Sequence, residues 1–245
     1  EQFQRGQLQI NLSQSLVRVP GISVQSRWNF AQDLQLSIRG FGALANFGVR
    51  GVRLYQDYIP ATMPDGQGQT GSFSLASAQR IEVLRGPFSS LYGNAAGGVI
   101  SVFTEDGPTP PQGSAQLMGG SYGTWNAIAK VEGRDGATDY VIAGNHFAID
   151  GYRDHSVASR DLLNVKLKVA TAPDTTFTVI GNWLDQPDAQ DPLGLTRAQW
   201  EADPRQADPA TERFDTRKTV NQLQGGVAIE HALSGSTSLR VTGYG

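Results

Sequence analysis

The chain has 245 residues, with 29 Gly, no Cys, 18% charged residues and a formal net charge of −3. That length predicts one or two domains with a substantial core. The near balance of 20 basic and 23 acidic residues points away from a nucleic-acid partner, and the lack of Cys excludes a disulfide framework, a thiolate metal site and a Cys nucleophile.

No apolar run approaches the roughly 18 residues of a membrane-spanning helix; the longest, Gly97 to Phe103, has seven. This excludes a helical membrane protein but not a membrane β-barrel, whose strands alternate apolar and polar residues. Glycine at about 12%, against a usual level of roughly 7%, points to tight turns and short strands. The chain starts at Glu1 without Met or a signal-like segment and stops at Gly245 inside an alternating pattern, so both ends read as cut.

In chain order, Asn11 or Ser13 is placed to cap a short helix through Leu16 and Val17, which Pro20-Gly21 ends, and Ile22 to Gln25 is extended. Strands are predicted at residues 34–38, 49–55, 80–84 and 99–103, separated by Gly/Pro turns such as Met63-Pro64-Asp65-Gly66. Asp106-Gly107-Pro108-Thr109-Pro110-Pro111 stops both helix and central strand, and we place a domain boundary there, dividing residues 1–111 from 112–245. The first part carries eight Arg, no Lys and seven acids; the second carries 12 basic and 16 acidic residues.

The second part alternates with period two, as in Leu163-Asn164-Val165-Lys166-Leu167-Lys168-Val169. Seven strands are predicted, at about residues 114–121, 124–133, 139–150, 161–171, 175–186, 216–232 and 237–245. Short turns alternate with longer connections at Gly151 to Arg160 and Pro187 to Asp215, the asymmetry of an outer-membrane barrel. A soluble all-β module also buries one face of each strand, but strands of this length and the 29-residue connection favour the barrel. Lys166 and Lys168 then face the lumen, Leu163, Val165, Leu167 and Val169 face lipid, and Tyr122, Trp125, Tyr140 and Trp183 fall where aromatic girdles are expected. Within the long connection, residues 196–202 are predicted to form a short helix.

No motif carries catalysis. Gly66-Gln67-Gly68-Gln69-Thr70-Gly71 matches G-x-G-x-x-G but lacks the preceding strand and following helix of a dinucleotide site. Gly93 to Gly98 lacks the Lys-Ser/Thr of a phosphate loop, and His146, His155 and His231 have no metal-ligand spacing. No G-x-S-x-G elbow is present. We therefore expect no enzyme, metal site or cofactor.

Val19-Pro20-Gly21-Ile22-Ser23-Val24, then Leu36-Ser37-Ile38-Arg39-Gly40-Phe41-Gly42, then the run from Arg80-Ile81-Glu82-Val83-Leu84-Arg85-Gly86-Pro87 to Gly97-Gly98-Val99-Ile100-Ser101-Val102 occur in order. Together they resemble the plug domain of TonB-dependent outer-membrane receptors, strongly over residues 11–104. The resemblance implies an α+β plug inside an antiparallel transmembrane barrel of about 22 strands, of which seven are present here. It also implies outer-membrane lipid around the wall, a scarce small-molecule ligand outside, and the inner-membrane TonB complex pulling from the periplasm. Two departures stand out: no TonB box is recognisable before Asn11, and Asp57-Tyr58-Ile59-Pro60 replaces the usual Asp-Gly-Val-Pro.

Residues 31–42, 47–51, 59–70, Gly151-Tyr152-Arg153-Asp154-His155-Ser156 and Asp215-Thr216-Arg217-Lys218 more closely resemble the subgroup that imports pyrroloquinoline quinone. Ferric-siderophore import is the alternative. In the family the ligand meets the outward plug apices, by motif position Ser26 to Asp33 and Ala61 to Gly71. A planar tricarboxylate quinone needs cations and flat surfaces: Arg27 and Arg153 offer charge, Trp28, Phe30 and Tyr152 stacking, and Gln67, Gln69 and His155 neutral donors. Arg39, Arg80, Glu82 and Arg85 lie in the shared plug motifs and are expected to hold the plug through lumenal ion pairs.

Overall fold

The computed structural model describes residues 7–245 except Arg27, Asn46, Phe47, Pro64 and Asn94. Helix α1 (Ser13–Leu16) is one turn long, and its first N–H groups are met in part by Asn11, whose Oδ1 accepts from Ser13 N at 3.0 Å. Its Leu16, with the preceding Leu12, is fully buried. After Pro20-Gly21, β1 (Ile22–Gln25) pairs antiparallel with β2 (Gln35–Ile38), Ile22 opposite Ile38.

Four strands make the second sheet: β3 (Val52–Gln56), β4 (Ile59–Pro60), β5 (Ala78–Arg85) and, after helix α2 (Ser89–Tyr92), β6 (Gly98–Thr104). Their order is β4-β3-β6-β5, with β3 and β6 parallel. Val52, Leu54, Ile100 and Val102 face Leu12, Leu36, Ile38 and Phe73 in one dry cluster, so two small sheets share a core that neither could close alone.

From Gln112 the chain is a seven-stranded antiparallel meander: β7 (Gln112–Gly119), β8 (Trp125–Asp135), β9 (Thr138–Ile149), β10 (Ala158–Ala172), β11 (Thr175–Gln190), β12 (Arg217–Ser234) and β13 (Thr237–Tyr244). Registers such as Asn145–Leu162–Leu184 and Asn164–Asn182–Gln224 place like-facing residues in rows. One face is polar and packs on the plug: Asn182 accepts from Gln56 at 3.0 Å and Asn164 from Ser77 at 2.7 Å. Leu163, Leu167, Phe177, Val179, Trp183 and Leu223 are exposed on the other. The two-residue period thus sorts each strand into a plug side and an outer side.

Two expectations need correction. Pro187 does not end its strand: β11 continues to Gln190 because the register shifts between Gln186 and Ala189, and a bulge spares the ladder the N–H that proline lacks. The long connection is therefore residues 191–216. It holds α3 (Arg197–Ala202), where Thr196 and Gln199 form a capping box, and also an unforeseen α4 (Ala210–Phe214).

Candidate functional site

The β7–β8 turn and the connections 150–157 and 191–216 crowd one end of the wall. Asp150 N donates to Tyr122 O at 3.0 Å and Asp154 N to Arg205 O at 2.8 Å. The plug segment before β2 rises to this end. Asp191 joins them: Oδ1 accepts from Asn29 Nδ2 at 2.7 Å and Oδ2 from Gln32 Nε2 at 3.0 Å. Asp33 meets Lys218 in an ion pair between plug and wall, and its Oδ2 also accepts from Gly48 N at 2.7 Å. Beside these contacts opens a recess of about 840 Å³, bordered by Gln32, Asp33, Arg50, Gln67, Gln69 and Lys218. Its volume suits a small-molecule ligand.

The residues singled out from the sequence are distributed as follows. Gln67 and Gln69 line the recess. Phe30 lies just below, its ring 4.8 Å from Phe147, and shares a smaller cavity with Gln69. Trp28 is 65% exposed, on a left-handed residue with φ 52°. Tyr152 packs edge-on against Tyr122 at 5.3 Å with the Arg205 guanidinium near its ring. Arg153 donates to the carbonyls of Pro192, Leu193 and Gln206 at 3.0, 2.6 and 2.9 Å, which ties the two outer connections together. His155 Nε2 lies 2.8 Å from Thr216 O and has a similar bracing position. Arg27 is outside the described residues.

Among the described residues, the plug motif ions do not reach the wall as expected. Arg80 pairs with Glu82 at 2.7 Å and its guanidinium lies 4.0 Å from the Phe103 ring centroid; Arg85 donates to Pro20 O at 2.6 Å. Arg39 has φ 50° at a turn, where its backbone N–H donates to Gly21 O. The plug–wall ion pairs have the opposite polarity, with acids on the plug side and lysines on the wall. Asp106 accepts from Lys166 at 2.8 Å and Lys168 at 3.3 Å, and Glu105 pairs with Lys130. Burial pushes the Asp106 carboxyl up, but the two lysines outweigh burial and hold it below the ordinary carboxylate value. Burial also pushes Glu105 and Asp57 up, and in both it prevails.

Asp33, Asp191, Arg160 and Lys218 were not singled out from the sequence. Asp33 and Lys218 lie within the quoted segments, but Asp191 is one of seven acids between Pro187 and Asp215, with nothing local to mark it.

Residues 1–99 match the TonB-dependent Receptor Plug Domain. The pesticin receptor of Yersinia enterocolitica is 33% identical over 107 residues, covering 42% of this chain and 15% of that protein, and the Yersinia pestis pesticin receptor aligns equally well. Among solved structures, the ferric citrate transporter FecA superposes with a TM-score of 0.77 at 21% identity, over 96% of this chain and 36% of that one. The copper transporter OprC does so at 0.71 and 17% identity, covering 96% and 34%. The ferric enterobactin receptor PfeA of Pseudomonas aeruginosa follows at 0.68 and 15%, covering 96% and 38%. The chain thus spans about a third of the receptors whose fold it shares. Residues 1–99 thus carry a TonB-dependent receptor plug domain, and a mixed plug packed on the polar face of an antiparallel wall with an apolar outer face gives the chain the fold of the plug and part of the β-barrel of such receptors, which reside in the bacterial outer membrane.

Proposed function

We propose that the protein takes up a ferric chelate from outside the cell, the ligand seating in the recess between plug apex and wall, with TonB and its energising complex acting on the plug from the periplasm. The recess itself carries this reading: it is open at the end bearing the long connections, and Arg50 and Lys218 stand beside the amides Gln32, Gln67 and Gln69, a set suited to an anionic, oxygen-rich ligand. The names of the relatives, among them ferric citrate and ferric enterobactin receptors, favour iron over a quinone. Pyrroloquinoline quinone is the second reading, because residues 31–35 and Gln67 and Gln69, from two segments that resemble its importers, line the same recess.

We divide the chain at residues 111 and 112, with the plug before and the wall after. Arg39, Arg80, Glu82 and Arg85 would then contribute to plug retention through partners elsewhere in the barrel. Calorimetry of the complete receptor with ferric citrate, ferric enterobactin and pyrroloquinoline quinone tests the ligand. Binding of a ferric chelate alone supports the first reading; binding of the quinone alone replaces it with the second.

A further inference from the structure

Beneath the recess, between plug and wall, lies a smaller cavity of about 80 Å³. The two share Gln32, Asp33, Leu34, Gln69 and Lys218, so the Asp33–Lys218 ion pair stands where one passes into the other. On the wall of the inner cavity is Arg160 of β10, only 6% exposed. Its Nη2 donates to the Ile10 carbonyl, and its Nε is buried without a partner. Among the described residues no carboxylate pairs with it. Arginine stays protonated in any protein environment, and a buried charge with no counter-charge is far costlier than a paired one.

The charged residues lining this cavity are Arg160, Lys218 and Asp33, two cations against one carboxylate. Asp33 is already engaged by Lys218 and Gly48 N. The remaining lining is rich in amides, including Asn29, Gln69, Gln186 and Gln222, which can donate to an anion without adding negative charge. At the other end of the wall a cavity of about 280 Å³ is also rich in cations, yet each of those already meets a carboxylate: Lys166 and Lys168 on Asp106, Arg240 on Glu230, Arg80 on Glu82. Of these two cavities, and among the described residues, it is the inner one that holds an unmet positive charge.

We propose that this inner cavity is an oxyanion site, in which Arg160, with Lys218 and the surrounding amides, holds one carboxylate or phosphate group behind the Asp33–Lys218 pair. The volume admits a single such group and not a whole chelate. Its occupant is either a free small anion or an oxyanion group of the cargo on its way past the plug; the second case rests on the uptake reading, the site itself does not.

The test uses the complete receptor and inorganic phosphate as probe. Calorimetric titration should give a phosphate Kd that rises at least tenfold in Arg160→Gln and stays within about threefold in Arg160→Lys, which keeps the charge. Thermal unfolding in anion-free buffer should show Arg160→Gln as stable as the parent or more so, with phosphate raising Tm only in the parent and the Lys variant. Equal phosphate affinity in the parent and Arg160→Gln overturns the proposal, as does a protein carboxylate within 4 Å of the Arg160 guanidinium in the complete receptor. In cells, ferric citrate import reduced tenfold by Arg160→Gln identifies the occupant as cargo, and unchanged import with phosphate binding lost identifies a free anion. If no ferric chelate binds while phosphate binding still depends on Arg160, the uptake reading fails and the oxyanion site stands.

Discussion

Asp106→Asn probes how the plug is held to the wall. Lys166 is partly buried, its side chain 11% exposed, whereas that of Asp106 is 40% exposed. Removing one partner of a fully buried pair costs about 3–5 kcal/mol, and an exposed pair contributes about 0–1 kcal/mol. Lys166 would keep the carbonyls of Thr104 at 2.8 Å and Glu105 at 3.3 Å, so a loss of about 1–2 kcal/mol is expected. The pH dependence has a definite sign. The folded carboxyl lies below its ordinary value because the lysines outweigh burial. Its contribution is therefore fully present above about pH 4 and drains away as pH falls through the lower folded value. Urea unfolding of the complete receptor in detergent, from pH 7 to pH 3, with Lys166→Met and the double variant, measures both effects. A coupling energy below about 0.3 kcal/mol, or a low-pH slope unchanged in Asp106→Asn, would refute the reasoning.

Asp57 has the opposite sign. Its oxygens accept from Thr104 N at 2.9 Å and Thr104 Oγ1 at 2.6 Å, and burial pushes its carboxyl up, so the parent should lose stability as pH rises from its ordinary value through the raised one. Asp57→Asn should flatten that part of a pH–stability profile; parallel profiles would count against it. At Gly98, φ is 143° and a Cβ would collide with the Leu84 carbonyl oxygen across the β5–β6 ladder. Gly98→Ala should therefore cost about 3 kcal/mol or more, and a folding yield and stability equal to the parent would show that the strands can separate freely. Asp191→Ala should lower hydrogen-exchange protection of residues 26–34 about tenfold, equivalent to one charged hydrogen bond of about 1.4 kcal/mol, while leaving β3 and β6 unchanged; an unaltered exchange pattern would remove Asp191 as the clamp.

Much of the architecture was legible because it is local. The alternation through Leu163 to Val169 told which side of β10 meets the plug, and Lys166 and Lys168 do face inward. The Gly97-Gly98 pair marks places where backbone and ring leave no room: a Cβ on Gly97 would sit 2.6 Å from Phe41 Cβ. The position of Asn29, Gln32 and Asp33 at the end bearing the long connections likewise followed from motif order. Pro187 misled because proline is usually excluded from a ladder, and a bulge made the exception. Arg153 read as a ligand cation because its charge was visible and its partners, three carbonyls about 40 to 53 residues away, were not.

The sequence by itself determined the strands, their two faces and the plug motif, since each depends on residue types at spacings of two to a few positions. Tertiary structure alone decided which charges meet. Asn29 and Asp191 are 162 residues apart, Asp33 and Lys218 are 185 apart, and Arg160 is solitary only because no described acid folds back to it. An ion pair depends on a few ångströms in space, and no periodicity along the chain encodes that distance; hence the plug's acids, and not its arginines, meet the described wall.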